Sequence, residues 1–317
     1  MKKYFSIILF LSIHHSLSLA NDEVNSRIQL QQEVLLQYIE ALSSDDMQGR
    51  KFATNSSSKT QDYLINALKS YNIQPFKNKY LHRFNHDNFF NNKQGANVIG
   101  FVPGNQYSDK YIVLTAHYDH LGVKGKHVYN GADDNASGVA ALLTFGKLIK
   151  ETPLKHNIIL LFTDGEEINL LGARSFIRQN DAIKESIMLN INVDMIAGDN
   201  KTKRLHYIYG NFDKFTKTDL VQQLFKEIKT DDIKVKKGFK HFGRNSIQDR
   251  RTNWKMASDH GVFANHDIPY LYYGVGTHKN YHSVSDTYAN VNKAFAVASS
   301  TLIFKHLLYL DNSISLN

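Results

Sequence analysis

From Asn97 onward the chain alternates short apolar runs with stretches of helical periodicity, and this alternation constrains its fold more than any other feature. Tyr111 to Ala116 (YIVLTA), Asn157 to Thr163 (NIILLFT), Ile187 to Met195 and Ile268 to Tyr273 are rich in β-branched and aromatic residues. Runs of that kind suit strands buried on both faces of a sheet. Between them Ala136 to Ile149 and Leu170 to Arg178 read as helices, and Asn292 to Leu310 reads as a long helix near the C-terminus. Upstream, Asn25 to Ser44 and Thr60 to Tyr71 carry helical spacing, separated by a polar loop through Gly49 and Ser56-Ser57-Ser58, and Phe76 to Phe84 reads as a strand. Strands and helices in alternation predict an α/β fold, a three-layer α/β/α sandwich around a mostly parallel mixed sheet. The stretch Lys201 to Ser258 fits less well, with one helix at Asp219 to Lys229 followed by a polar, basic segment. No internal repeat or long linker interrupts the chain, so residues 21–317 read as one domain, with 201–258 a variable, partly basic insertion.

The first twenty residues differ from the rest. Lys2 and Lys3 precede an apolar run from Tyr4 to Ile13, and Ser18-Leu19-Ala20 ends in a small residue. The run is far short of the ~20 residues that span a bilayer. Residues 1–20 are therefore expected to be a removed secretion signal, placing the mature protein in the periplasm or the medium with no membrane anchor. The formal charge of +8 is mild, no nucleic-acid motif accompanies it, and a solvated lysine-rich surface accounts for it. There is no cysteine in the 317 residues. An exported chain without disulfides relies on its core, and any metal site must be built from His, Asp and Glu.

Ligands of open α/β sheets bind beyond the carboxyl ends of the strands. His117-Tyr118-Asp119-His120-Leu121-Gly122 follows the first apolar run, and Asp164-Gly165-Glu166-Glu167 follows the second. Asn192-Val193-Asp194-Met195 ends the third, and Tyr281-His282-Ser283-Val284-Ser285-Asp286 comes after the fourth. Asn130-Gly131-Ala132-Asp133-Asp134-Asn135-Ala136-Ser137-Gly138 opens a helix between the first two. Each piece alone has a structural alternative: Asp133-Asp134-Asn135 as a helix cap, Glu166-Glu167 as a solvated loop, His282 as a surface histidine. Asp194 resists such a reading, because an unpaired carboxylate at the end of an apolar strand is expensive. A metal site accounts for all five together.

A set of histidines and carboxylates without cysteine suits zinc, or less often cobalt or manganese. Two histidines and three or more carboxylates exceed one tetrahedral site, and suit two metals bridged by a carboxylate. Adjacent Glu166 and Glu167 suggest divided labour, one on metal and the other free to take a proton from water. Asp119 stands two residues beyond His117, where it can orient that imidazole, and Asp286 has a similar relation to His282.

The pieces AHYDHLG, NGADDNASG, DGEE, NVDM and YHSVSDT, together with MQGR at Met47 to Arg50 and NVIGFVPG at Asn97 to Gly104, resemble one family over roughly residues 35 to 295. It is the co-catalytic zinc aminopeptidase family of secreted bacterial leucyl aminopeptidases, with glutamate carboxypeptidases and glutaminyl cyclases as more distant members. The resemblance implies a phosphorylase/hydrolase-like zinc exopeptidase architecture, two Zn2+ ions, peptide substrates with a free amino end, and a monomer. It makes Asp133 the bridging carboxylate, Glu167 and His282 the other ligands of one zinc, and His117 and Asp194 those of the other. Glu166 is then the general base, and Asp134 belongs to the turn behind the bridge. Ser258-Asp259-His260 matches a recurrent element of structural role, and is no serine-protease triad because sequence neighbours cannot converge on one point. The segment Lys226 to Lys255, with ten basic residues against four acids, matches no family pattern. If Arg244, Arg250 or Arg251 binds a substrate carboxylate, a carboxypeptidase or acidic-dipeptide preference follows. A one-zinc glutaminyl cyclase and a non-catalytic binding protein on the same fold are the remaining alternatives.

Overall fold

The computed structural model describes residues 31–88, 91–215, 219–239 and 253–315. The expected secretion signal at 1–20, the start of the first helix, and Arg244, Arg250 and Arg251 lie outside the described residues. In chain order the elements are α1 (Gln32–Leu42), α2 (Asn55–Ser70), β1 (Gln74–Pro75), β2 (Leu81–Asn88), β3 (Asn91–Val102), β4 (Tyr107–His117), β5 (Gly122–Lys124) and β6 (His127–Tyr129). They continue with α3 (Gly138–Glu151), β7 (His156–Thr163), α4 (Leu171–Gln179), β8 (Ile187–Val193), β9 (Arg204–Gly210) and α5 (Leu220–Glu227). The last are β10 (Lys234–Lys237), α6 (His260–Ala264), β11 (Tyr270–Gly274) and α7 (Lys293–Ser313). No helix of the described residues is long and apolar enough to cross a membrane.

The main sheet runs in the order β1-β3-β7-β4-β8-β11-β9-β10, with β2 paired to β3. Its centre, β7-β4-β8-β11, is parallel. Both flanks turn antiparallel, at the β3–β7 and β11–β9 pairs. The sheet is therefore mixed, parallel where the apolar runs lie. The reason for those runs is visible in the pleat, since alternate residues of a strand serve opposite faces. Ile112 and Leu114 of β4 and Ile158, Leu160 and Phe162 of β7 pack with α1, α2, α3 and α7. Val113, Ile159 and Leu161 face the other way, onto Phe176 and Ile177 of α4 and Val262 and Phe263 of α6. Helices thus cover both faces, giving the three layers expected.

Two local readings differ. Ser56 to Ser58 belong to α2, because Ser57 and Thr60 turn inward and Thr60 Oγ1 donates to the Ser56 carbonyl at 2.8 Å. Polar composition disguised a buried helix face. The Phe76 to Phe84 strand is shortened, since Lys77 and Asn78 take positive φ of 49° and 65° and make a turn before β2 begins. Within the described part of 201–258, β9 and β10 extend the sheet beyond β11, and α5 packs on α7. At the end of α7, Asp311 accepts from the Lys155 and His156 amides at 2.9 and 3.0 Å, pinning the helix to the start of β7.

Candidate metal centre and substrate cavity

The parallel centre of the sheet places its carboxyl ends side by side, and four chain segments deliver polar groups there. His117 is the last residue of β4, Glu166 and Glu167 stand in the turn after β7, Asp194 follows β8, and His282 lies in the loop between β11 and α7. The fifth segment, Ala132–Ser137, is a tight turn leading into α3 whose Asp134–Asn135 peptide is cis.

Two clusters form around one shared carboxylate, and that carboxylate is Asp134. His117 Nε2 lies 3.3 Å from both Asp134 Oδ1 and Asp194 Oδ1. His282 Nε2 lies 3.2 Å from both Asp134 Oδ2 and Glu167 Oε2. His120, which the sequence reading quoted only within a motif, brings Nδ1 to 3.0 Å from Glu167 Oε1 and 3.7 Å from Asp134 Oδ2. His117-Asp134-Asp194 and His120-Asp134-Glu167 are both compact enough to hold a metal ion. Asp134, and not the Asp133 expected to bridge, therefore stands between the two histidines. Asp133 is turned away, accepting from the Ala197 amide at 2.7 Å and meeting His278 Nε2 at 2.9 Å. An acidic pair at a sharp turn sends its two side chains in opposite directions, which sequence spacing alone does not resolve.

The turn is stapled to the loop after β8. Asn135 Oδ1 accepts from the Gly138 and Met195 amides, and its Nδ2 donates to the Val193 carbonyl. Ser137 Oγ accepts from the Ile196 amide while donating to the Asp133 carbonyl. Asp286 accepts from the Asp133 and Asp134 amides at 2.9 and 3.0 Å, so it holds the turn and not His282. Asp119 sits 3.7 Å from His117 Nδ1, which is closer to the Asp119 carbonyl at 3.1 Å. Its carboxylate accepts from the amides of Glu166 and Glu167 at 3.0 and 3.3 Å. Behind all of these lies Arg50 of the MQGR piece, fully buried, donating to the carbonyls of Leu42, Tyr118, Asn130 and Gly131. A guanidinium spreads its donors in a rigid fork, and here the fork ties the segment after β4 to the turn that carries Asp134.

The electrostatics follow from crowding four carboxylates and the histidines out of water. Burial disfavours the charged form of His117, yet Asp194 and Glu166 outweigh it and hold its pKa well above the ordinary value. Burial likewise works against ionised Asp134, but His120, His117 and His282 hold that carboxyl well below the usual range. Burial, reinforced by Asp194 and Glu167 against the pull of His117, holds Glu166 well above its ordinary value. Glu166 also differs in its contacts, since its carboxylate takes no hydrogen bond from any described residue.

A cavity of about 490 Å³ opens on the centre, lined by His117, Asp134, Glu166, Asp194 and His282 at one end. Met195, Trp254, Tyr272 and Tyr281 supply an apolar wall. Phe239 stacks between Trp254 and Tyr272, with ring centroids 4.2 and 5.1 Å away, and His260 lies on the other face of Tyr272 at 4.3 Å. Of the aromatic candidates near the motifs, Tyr272 thus faces the cavity, whereas Tyr273 and Phe263 are core. Ser258, Asp259 and His260 point in three directions, to Asn192, Thr163 and the Trp254 carbonyl, as a structural element does.

A mixed α/β sheet with histidines and carboxylates gathered at its carboxyl edge around one shared Asp defines a metal-binding protein of the hydrolase type. Residues 97–306 match the profile of peptidase family M28, and the chain belongs to that family. Among curated relatives it is 29% identical over 168 residues to the alkaline phosphatase isozyme conversion protein of Escherichia coli, covering 48% of each chain. It is 30% identical over 113 residues to aminopeptidase YwaD of Bacillus subtilis, covering 34% of this chain and 23% of the relative. It is 25% identical over 228 residues to a probable leucine aminopeptidase 2 of Trichophyton verrucosum, covering 64% and 42%. The matches thus span less than half the length of these relatives. The fold matches BSAP, a zinc aminopeptidase from Bacillus subtilis, with a TM-score of 0.69 at 13% identity over 90% of this chain and 95% of the other. It matches the LapA aminopeptidase of Legionella pneumophila with a TM-score of 0.67 at 17% identity over 94% and 76%. A glutaminyl cyclase from Fimbriiglobus ruber shares the fold as well, with a TM-score of 0.66 at 15% identity over 88% and 95%.

Proposed function

We propose that the protein is an exported, zinc-dependent aminopeptidase that removes single residues from the free amino end of peptides. The observation that carries this reading is Asp134, whose two carboxylate oxygens face two different histidines, His117 and His282, each with a second carboxylate beside it. The donor set fits a pair of divalent ions: nitrogen and oxygen ligands, no sulfur, and one carboxylate common to both clusters. His117, Asp134 and Asp194 would hold one zinc, and Asp134, Glu167 and His282 the other. His282 takes that place ahead of His120 because it lines the cavity and stands 3.2 Å from both carboxylates, whereas His120 is 3.7 Å from Asp134. When bound, such a pair supplies Lewis acidity, lowering the pKa of water and polarising a carbonyl.

The chain's own groups do the remaining work. Glu166, its carboxylate taking no hydrogen bond from a described residue and its amide fixed by Asp119, takes a proton from water as the water oxygen attacks the scissile carbonyl carbon. As the carbon–nitrogen bond breaks, Glu166 returns that proton to the departing amine. Carboxylates around the cavity favour a substrate ammonium, which selects a free amino end, and the Met195, Trp254 and Tyr272 wall favours an apolar first side chain. Hydrolysis of a leucyl chromogenic amide and its N-acetylated twin, before and after zinc is removed and restored, tests the reading. Cleavage of only the free-amino compound, lost on chelation and regained with zinc, is expected. Zinc-loaded protein that leaves both intact while cyclising peptides with N-terminal glutamine would replace this reading with a cyclase.

A further inference from the structure

A second cavity, of about 410 Å³, shares Thr277 and His278 with the wall of the substrate cavity. Its character is opposite. Lys201, Lys203, Arg204, Lys234 and Lys279 line it, and none of the five forms an ion pair with a described residue. The acid among the lining residues, Asp199, is buried and engaged, its Oδ1 accepting from the Lys201 amide at 2.9 Å and the Thr202 hydroxyl at 3.2 Å. Arg204 on β9 and Lys234 on β10 are direct partners in the parallel ladder. All five are exposed, and like charges placed opposite each other repel across a sheet, a repulsion that a bound anion would relieve. A solvated lysine surface would explain the charges one by one. It does not explain their convergence on a concave site that adjoins the carboxylate-lined cavity.

We propose that this basic cavity is a subsite for a carboxylate on the leaving side of the scissile bond, making short or acidic peptides the favoured substrates. The proposal rests on the aminopeptidase reading. With the substrate ammonium among the carboxylates of the first cavity, the chain beyond the cleaved bond passes Thr277 and His278, and its carboxylate meets the lysines. Opposite potentials at the two ends orient a zwitterion and speed its capture. The carboxylate can be the peptide's own C-terminus or an acidic side chain.

The test compares zinc-loaded enzyme on Leu-Ala against its C-terminal amide, and on Leu-Glu-amide against Leu-Gln-amide. The first pair reports a terminal carboxylate and the second an acidic side chain. At low salt, kcat/KM should favour the carboxylate member of at least one pair by about tenfold, the size of one charge-assisted contact. The Lys203→Glu/Arg204→Glu double variant should abolish that preference while neutral amides are cleaved as before, and Lys279→Glu, from a different loop, should weaken it. Equal rates within both pairs overturn the subsite while leaving aminopeptidase activity standing. Calorimetric binding of the same four peptides to zinc-loaded Glu166→Gln protein reads the preference without turnover. If nothing is cleaved, a tenfold tighter Kd for the carboxylate member, lost in the double variant, still supports the subsite, and equal Kd values refute it.

Discussion

Arg50 offers the sharpest quantitative test of how the centre is held. Its guanidinium is fully buried and makes four hydrogen bonds of 2.6 to 2.9 Å to backbone carbonyls and a longer one of 3.5 Å to that of Asp134, with no ion pair to a described carboxylate. Charged-donor bonds are worth about 1.5–3 kcal/mol each, so replacing Arg50 by Met forfeits roughly 6–12 kcal/mol in gross terms. Part of that is returned, because the guanidinium no longer has to leave water. Burial lowers its pKa from 12.5 to about 10, and a displacement of that size corresponds to about 3 kcal/mol. Some of the abandoned carbonyls will also recover a partner by local relaxation or water entry. The net expectation is a loss of roughly 3–5 kcal/mol, the range seen when one side of a buried charged contact is removed. Equilibrium urea denaturation of Arg50→Met against the parent, both without added metal, reads this directly. Arg50→Lys should recover only a part, since one ammonium cannot serve four divergent carbonyls. A loss below about 1 kcal/mol for Arg50→Met would sink the claim that this side chain ties the β4 end to the Asp134 turn.

Other expectations follow from the same contacts. Asp134→Asn should abolish turnover and lower zinc per chain, whereas Asp133→Asn should retain zinc and lose stability through its Ala197 and His278 contacts; metal analysis of the two purified variants decides which acid is shared. His120→Asn should keep both metal equivalents if His282 is the ligand, and loss of one would reverse that assignment. Gly138→Ala should destabilise by roughly 2–3 kcal/mol, as overpacking does, because its Cβ would lie 2.3 Å from the Val193 carbonyl and 2.4 Å from Asn135 Oδ1. His306 is buried, accepts from or donates to Tyr273 Oη at 2.6 Å, and burial lowers its pKa to about 4. The folded state keeps it neutral while the unfolded chain takes up a proton below about pH 6.5, so its contribution is intact above that pH and fades as pH falls towards 4. The stability gap between parent and His306→Asn should therefore narrow by up to about 3 kcal/mol on acidification from pH 7 to 4, and an unchanged gap refutes the assignment.

Much of this was legible because the parallel centre of the sheet writes itself as uninterrupted apolar runs. Asn157 to Thr163 locates β7 to within a residue and Tyr111 to Ala116 locates the buried half of β4, whose exposed start at Tyr107 carries no apolar signal. The strand ends then direct attention to His117, Glu166, Glu167, Asp194 and His282, all of which the fold brings to one edge. What sequence could not give was direction. Asp133 and Asp134 are identical in type and adjacent, and only the turn decides which faces the histidines. His120 stayed hidden because it is an ordinary distance from His117 and carries no signal of its own. Arg50 stayed hidden because it acts through carbonyl groups, which every residue possesses. The edge strands β9 and β10 were missed for a related reason: β9 is half-exposed and opens on Arg204, β10 is three lysines around one valine, and neither has the apolar signature that marks the centre.

The staple between the Ala132–Ser137 turn and the loop after β8 bears on what chelation would do to this molecule. Asp134 and Asp194 are 60 positions apart, yet Asn135, Ser137 and Asp133 bind their two segments through four hydrogen bonds that involve no ligand atom of either acid. The frame is thus braced by peptide groups, and an ion entering it meets donors already in place. Stripping the metal should silence the enzyme while leaving its melting curve cooperative, and recovery on remetallation should be limited by the supply of zinc and not by refolding. A chain built this way can wait, folded and idle, until the ion arrives.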